Sequence, residues 1–348
     1  MRRGSLEDKW RDDSITFLKI GLKKRLMPAL YGGIVGDLIG VPVEFKERGS
    51  FHIEGITGYG TYQQPPGTWS DDTSLTLCLI ENLLEEGDPS SLLGKFSQYR
   101  TKGYWTPYGE MFDIGRTTIE SINRYEKGLP PSECGGNTEF DNGNGALMRI
   151  APIVFVLYKN FNFLEKVEAI KKYTEVTHSH PRSIVGSIIY IEFLIRIYYN
   201  NTPETALQQT KKLFYDNFED NHEYIRELQF YSRLFKPDFF NLPEKEIRSD
   251  GYVVHTLEAA IWCLGNTLSF KDAVLKAVNL GDDTDTVGSI TGTMAGILYK
   301  VEGHLSRHMD AIPVEWVESI ARKKEIDELL SRFFDFCAEK AVKEEYGK

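Results

Sequence analysis

The sequence predicts one all-α domain. Apolar residues recur at spacings of three and four at Leu75, Leu79 and Leu83, at Ile184, Ile188, Ile191 and Ile195, and at Val287, Ile290, Met294, Ile297 and Val301. That is the period of helices with a buried face. Period-two alternation, the mark of half-buried strands, is scarce. Glycine and proline clusters break the chain near 46–69, 127–145 and 235–251, which leaves helices joined by long loops. No repeat of 20–50 residues and no low-complexity tract divides the chain.

Length and composition are consistent with this. The chain has 348 residues, 41% of them hydrophobic and 26% charged, a globular composition. Its formal charge of -10 argues against a nucleic-acid binder, which needs a positive field. Cys78, Cys134, Cys263 and Cys337 form no CxxC pair, so neither a disulfide framework nor a zinc knuckle is indicated, and a cytoplasmic protein is expected. No apolar signal core follows the first arginines. Asp37, and later Glu192 with Arg196, interrupt the most apolar stretches. No transmembrane helix and no membrane partner are therefore expected. A monomer is the default.

Residues 1–26 carry eight basic and four acidic residues, about +4 on a chain whose remainder is about -14. They read as an N-terminal basic arm, either a solvated leader or a partner-binding segment, ahead of a domain at 27–348. In the first core helix Gly32, Gly36 and Gly40 are spaced by four, as are Gly288, Gly292 and Gly296 in a late helix. Each helical glycine costs about 1 kcal/mol relative to alanine. Close backbone approach is the compensation, so these two helices should be central and tightly packed.

The most informative strings are acidic. Ser70-Asp71-Asp72-Thr73 leads into an amphipathic run, and Asp282-Asp283-Thr284-Asp285-Thr286 leads into the second glycine helix. One acid at such a position is an ordinary N-cap. Two strings of the same form exceed what caps require. Carboxylate and hydroxyl oxygens without His or Cys neighbours suit hard cations such as Mg²⁺, Mn²⁺ or Ca²⁺. If the strings converge, a two-metal site follows, and two dications would neutralise Asp71, Asp72, Asp283 and Asp285. An anionic substrate could then approach an acidic protein. The DDxxD spacing of prenyl-diphosphate chemistry is not met, because the third carboxylate is missing.

Three further segments read as site loops. Glu44 closes the first glycine helix amid apolar neighbours. Phe140 to Arg149 is a turn-dense loop entering a helix, whose N–H groups suit a phosphate. Thr177-His178-Ser179-His180-Pro181 precedes another apolar helix; with no third histidine or cysteine nearby, zinc is not indicated. Residues 200–250 carry no readable motif.

Together these segments resemble the ADP-ribosylglycohydrolase family, from about Met27 to about Lys300. The resemblance rests on GGIVGDLIGVPVEF, GTWSDDTSLTLCL, GNGALMRIAPI, THSHPRSIVGS and GDDTDTVGSITGTMAGILY, in that order. It implies a compact single-domain helical fold with a binuclear magnesium centre that removes ADP-ribose from protein side chains, commonly arginine and in some members serine. By motif, Ser70, Asp71 and Asp72 resemble the first ligand set, and Asp283, Asp285 and Thr286 the second, with two Mg²⁺ ions expected and Mn²⁺ able to substitute. Glu44 resembles an acidic residue beside the metals, Asn144 and Gly145 the loop that follows ADP-ribose, and His180 a pocket histidine. Asp141 lies where some members carry a proton-handling acid. Asp71, Asp72, Asp283 and Glu44 are the candidate general bases, and Glu44 or Asp141 the support for a leaving guanidine. The partner implied is an ADP-ribosylated protein. Some bacterial relatives are immunity proteins against ADP-ribosylating toxins, and there residues 1–26 would contact a cognate transferase. A non-catalytic binding or structural role is the remaining alternative.

Overall fold

A computed structural model describes residues 6–299 and 312–347, with the backbone alone for residues 6–11. Residues 1–5 of the basic arm lie outside the described residues. Of the described residues 69% are helical, and none of them forms a strand. In order the helices are α1 (Leu6–Gly40), α2 (Asp71–Leu84), α3 (Pro89–Lys102), α4 (Arg116–Glu126), α5 (Pro131–Cys134), α6 (Val154–Leu157), α7 (Phe163–Thr174) and α8 (Pro181–Tyr198). Then come α9 (Pro203–Phe218), α10 (His222–Leu228), α11 (Val253–Gly265), α12 (Phe270–Val278), α13 (Thr284–Leu298), α14 (Val314–Glu318) and α15 (Lys323–Tyr346).

The centre of the fold is the antiparallel pair α1 and α13, joined along the two glycine faces. A Cβ on Gly32 would lie 2.3 Å from the Gly292 carbonyl oxygen, and one on Gly36 2.0 Å from that of Gly288. A Cβ on Gly296 would lie 2.1 Å from the Pro28 carbonyl oxygen. No side chain fits in these gaps, so backbone packs on backbone, as the spacing predicts. At the end of the seam a Cβ on Gly40 would meet Asp285 Cα at 2.4 Å, and Thr284 Oγ1 donates to the Gly40 carbonyl at 2.8 Å. The seam therefore delivers the second acidic string to the C-terminal end of α1.

Gly36→Ala should lower stability by roughly 3 kcal/mol, because the added methyl forces two backbones apart. Gly21→Ala is the control. A Cβ there meets only Arg25 Nη1, at 4.0 Å, so it should gain up to about 1 kcal/mol of helix propensity. Urea unfolding of the two variants should shift the midpoint in opposite directions.

Two expectations change here. There is no break at residue 26, because α1 runs from Leu6 through it and Leu22 and Leu26 are fully buried. Much of the basic stretch is the first half of a core helix, in which Lys19 and Lys23 are exposed and the Arg25 guanidinium stacks 4.7 Å from the centre of the Tyr198 ring. Deleting 1–26 would remove core packing along with any partner contact. Second, one stretch, Asp12–Val43, is apolar and long enough to cross a membrane, yet 94% of its most apolar window is buried inside the fold. The breaking Asp37 is part of that buried face.

Residues 200–250 form α9, α10 and short 3₁₀ turns that pack on α8 and α11. They form helical casing.

Candidate active site

The site is built where α1 ends and α2 and α13 begin. Asp37, fully buried on α1, accepts hydrogen bonds from the Ser70 N–H at 2.9 Å, the Thr73 N–H at 3.0 Å and the Thr73 hydroxyl at 2.5 Å. It thereby pins the first turn of α2. Ser70 caps that helix by accepting from the Asp72 N–H at 3.2 Å. Asp71 and Asp72 follow in the first turn, where the helix dipole favours negative charge.

The two acidic strings do converge. Thr286 Oγ1, on the first turn of α13, donates to Asp72 Oδ2 at 3.1 Å. Asp71, Asp72, Asp283, Asp285, Thr286 and Glu44 all line one cavity of about 420 Å³. Carboxylate oxygens of Glu44, Asp283 and Asp285 lie within 4.8 Å of one another. Glu44 is buried rather than exposed. Its loop is tied to the second acidic string, since the Phe45 N–H donates to the Asp282 carbonyl at 2.7 Å and the Asp282 N–H to that of Lys46 at 2.9 Å. Asp282 itself is exposed.

Charge is the dominant fact of this cavity. Burial pushes the Glu44 carboxyl up to about 9, and the nearby charges of Asp113 and Asp283 add to the rise. Burial lifts Asp37 to about 6 despite the bonds it accepts. Asp71, Asp72 and Asp285 are held well above the usual carboxylate range, first by burial and then by one another and their acidic neighbours. Burial also raises Asp113 and Asp283. These groups cannot all be ionised together unless cations join them. Two buried oxygens, Asp72 Oδ1 and Glu44 Oε2, have no hydrogen-bond partner. Unpartnered carboxylate oxygens in a convergent, all-oxygen cluster fit a hard dication.

Other sequence candidates fall out differently. Asn144 lines the cavity and donates to Asp283 Oδ2 at 2.8 Å and to Thr256 Oγ1 at 3.0 Å, so it orients a carboxylate. Gly145 also lines it, and a Cβ there would press on the His178 ring at 2.9 Å and Thr118 Oγ1 at 3.0 Å. Ser70 does not line it; its hydroxyl bonds Asp72 instead. His180 is corrected. Its Nδ1 accepts from the Arg182 N–H at 3.1 Å as the N-cap of α8, and the histidine in the cavity wall is His178. Asp141 is also corrected. Its Oδ2 accepts from the Thr138 N–H and hydroxyl, and its Oδ1 pairs with Arg116 at 3.3 Å. Burial alone would raise this carboxyl, but the Thr138 and Arg116 contacts outweigh it and hold it below the usual range. It is not a cavity-lining group and is poorly suited to carry a proton near neutrality. The loop 140–149 runs into 3₁₀ turns, Leu147–Arg149 and Ala151–Ile153, rather than into an α-helix N-terminus. A third helix start, that of α4, also lines the cavity, and no side chain caps it.

Asp113 and Arg116 were not legible as site residues. Both line the cavity, and Asp113 interacts with the Tyr62 hydroxyl and with Asp71. Asp113 stands alone in an irregular segment, without a string to mark it. Asp37 did leave a signal, since a carboxylate inside an apolar helix must be partnered.

An all-α scaffold thus gathers carboxylates from two helix starts into one cavity, a donor set that suits a hard cation. Residues 19–343 match the family model described as ADP-ribosylglycohydrolase, and the chain belongs to that family. It is 31% identical over 315 residues to the ADP-ribosylarginine hydrolase Tri1 of Serratia proteamaculans (strain 568), covering 89% of this chain and 79% of that one. It is 26% identical to the ADP-ribosyl-[dinitrogen reductase] glycohydrolase of Rhodospirillum rubrum, covering 86% of this chain and 92% of the other. A solved structure titled ADP-ribosylglycohydrolase-related protein complex superposes with a TM-score of 0.73 at 28% identity, over 92% of this chain and 99% of that one. The fold and family expected from the five motifs are those found.

Proposed function

We propose that this protein hydrolyses the bond between ADP-ribose and arginine on modified proteins, in the cytoplasm, and uses two Mg²⁺ ions for which Mn²⁺ can substitute. The observation that carries the proposal is the convergence of Asp71 and Asp72 with Asp283 and Asp285 on one cavity, where Asp72 Oδ1 lacks a partner. Asp71 and Asp72 would hold the ions from α2, and Asp283, Asp285 and Thr286 from α13. Bound dications supply Lewis-acid stabilisation of sugar oxygens and lower the pKa of water.

This chain's residues do the rest. Asn144 holds Asp283 in place. Glu44, whose Oε2 is unpartnered in the cavity, would be ionised with dications bound beside it, and is then placed to take a proton from the attacking water at that oxygen. Asp113 takes the role first given to Asp141. It is the acid on the cavity wall outside the two strings and Glu44, so it supports the positive charge of the departing guanidine. Arginine is favoured over serine because an acidic wall suits a cationic leaving group, and because a relative is named an ADP-ribosylarginine hydrolase.

The test is release of ADP-ribose from an arginine-ADP-ribosylated protein beside a serine-linked peptide, in Mg²⁺ and in EDTA. Release from arginine alone, lost in EDTA, is the expected result. Release from serine would keep the chemistry and overturn the linkage.

A further inference from the structure

The buried arginine of the GALMR string has no part in the mechanism above. Arg149 is fully buried, stacked 4.9 Å from the centre of the Phe96 ring, and its Nη1 donates to the Tyr173 carbonyl at 3.0 Å. Its Nη2 donates to Thr177 Oγ1 at 2.8 Å. Thr177 Oγ1 lies 2.9 Å from His178 Nδ1. His178 in turn lines the catalytic cavity. Three residues therefore form a line from the core to the cavity wall.

The direction of each bond follows from what the groups can do. A guanidinium only donates, so Thr177 Oγ1 accepts from Arg149. The hydroxyl proton must then go elsewhere, and Thr177 is fully buried. Its other side-chain neighbour is His178 Nδ1. If Nδ1 carried the proton instead, Thr177 Oγ1 would receive two donors and its own proton would be stranded, which a buried hydroxyl avoids. Nδ1 is thus the acceptor, and the ring proton sits on Nε2. Burial, with the positive charge of Arg149 beside it, holds the His178 imidazole down near 3, so the ring stays neutral.

We infer that Arg149 and Thr177 are positioning residues that lock His178 as a neutral Nε2–H donor, aimed at an acceptor oxygen of the ADP-ribosyl group. A second donor stands beside it. Thr118 Oγ1 is buried, lines the same cavity and has no partner. It and His178 Nε2 both flank Gly145, at 3.0 and 3.4 Å from where a Cβ would be. Gly145 is thereby required, since any side chain would occupy the space between the two donors. The inference rests on the proposed reading for the identity of the ligand, but the tautomer is a property of the protein alone.

The experiment is ¹⁵N-detected NMR of the histidine rings in the full chain, together with calorimetric binding of free ADP-ribose. Wild type should show His178 as a single Nε2–H tautomer between pH 6 and 8. Thr177→Val should mix the tautomers and weaken ADP-ribose binding about tenfold, the loss of one hydrogen bond. Thr177→Ser, which restores the hydroxyl, should restore both. A wild-type His178 protonated on Nδ1, or a Thr177→Val ring with an unchanged tautomer, overturns the inference. If Thr177→Val does not fold, the wild-type tautomer decides alone. If wild type holds the Nε2–H form yet binds no ADP-ribose, the relay stands and the substrate reading fails.

Discussion

Asp285→Asn should lower Mg²⁺-dependent release of ADP-ribose by about a thousandfold or more, the equivalent of about 4 kcal/mol of lost transition-state stabilisation. The same variant should melt higher than wild type in EDTA. Both effects have one cause. Asp285 is buried at the start of α13, and burial, Glu44, Asp72, Asp283 and Asp37 all oppose its ionisation. In the cation-free protein it must either take up a proton or stand as a charge among like charges, and a neutral amide of the same shape avoids both. In the loaded protein it is a proposed ligand, and the amide lacks the charge that holds a dication. Opposite signs for activity and stability are what a binding site predicts. A structural aspartate would lose both together. Paired turnover assays and melting scans separate the two.

The second large effect is on the pH dependence of stability without metal. Glu44 is raised to about 9 and Asp37 to about 6, so both hold protons in the folded state that the unfolded chain has released. A group whose folded pKa exceeds its unfolded value contributes stability below the unfolded pKa and loses it as pH rises through the folded one. For Asp37 that window runs from about 4 to 6, and for Glu44 from about 4.5 to 9. Each extra proton held corresponds to a slope of about 1.4 kcal/mol per pH unit. Urea unfolding in EDTA should therefore show stability falling from pH 5 to 9. Excess Mg²⁺ should flatten that slope, because ions replace protons as the neutralising charge. Stability that rises with pH in EDTA would mean that the cluster is neutralised some other way.

How far the sequence disclosed this site depends on what each residue does locally. The glycine faces of α1 and α13 were legible because helical glycine is costly and regular spacing needs a cause. The acidic strings were legible because two caps of the same form exceed what capping requires. Glu44 stood out by its apolar surroundings. His178 and His180 could not be told apart, because the difference is which ring the α8 start takes as its cap, and that is set by how the chain turns into Pro181. Asp141 has the same history. A capping bond to Thr138 and an ion pair with Arg116, 25 residues away in sequence, turn its carboxylate from the cavity. Asp113 and Arg116 come from a segment with no periodicity, and only the folded chain brings them to the cavity wall. The extent of α1 was hidden for a different reason. The stretch before residue 27 is dense in charge, eight basic and four acidic residues, and composition alone makes such a stretch look like a free arm.

The central claim is that the carboxylates of α2 and α13 together hold divalent cations. Equilibrium binding of Mn²⁺ to the full chain, followed by electron paramagnetic resonance and by proton release, tests it most directly. Two saturable ions per chain are predicted, with protons released as they bind, and fewer ions in both Asp72→Asn and Asp285→Asn. No saturable binding, or an ion count unchanged by either substitution, would contradict it.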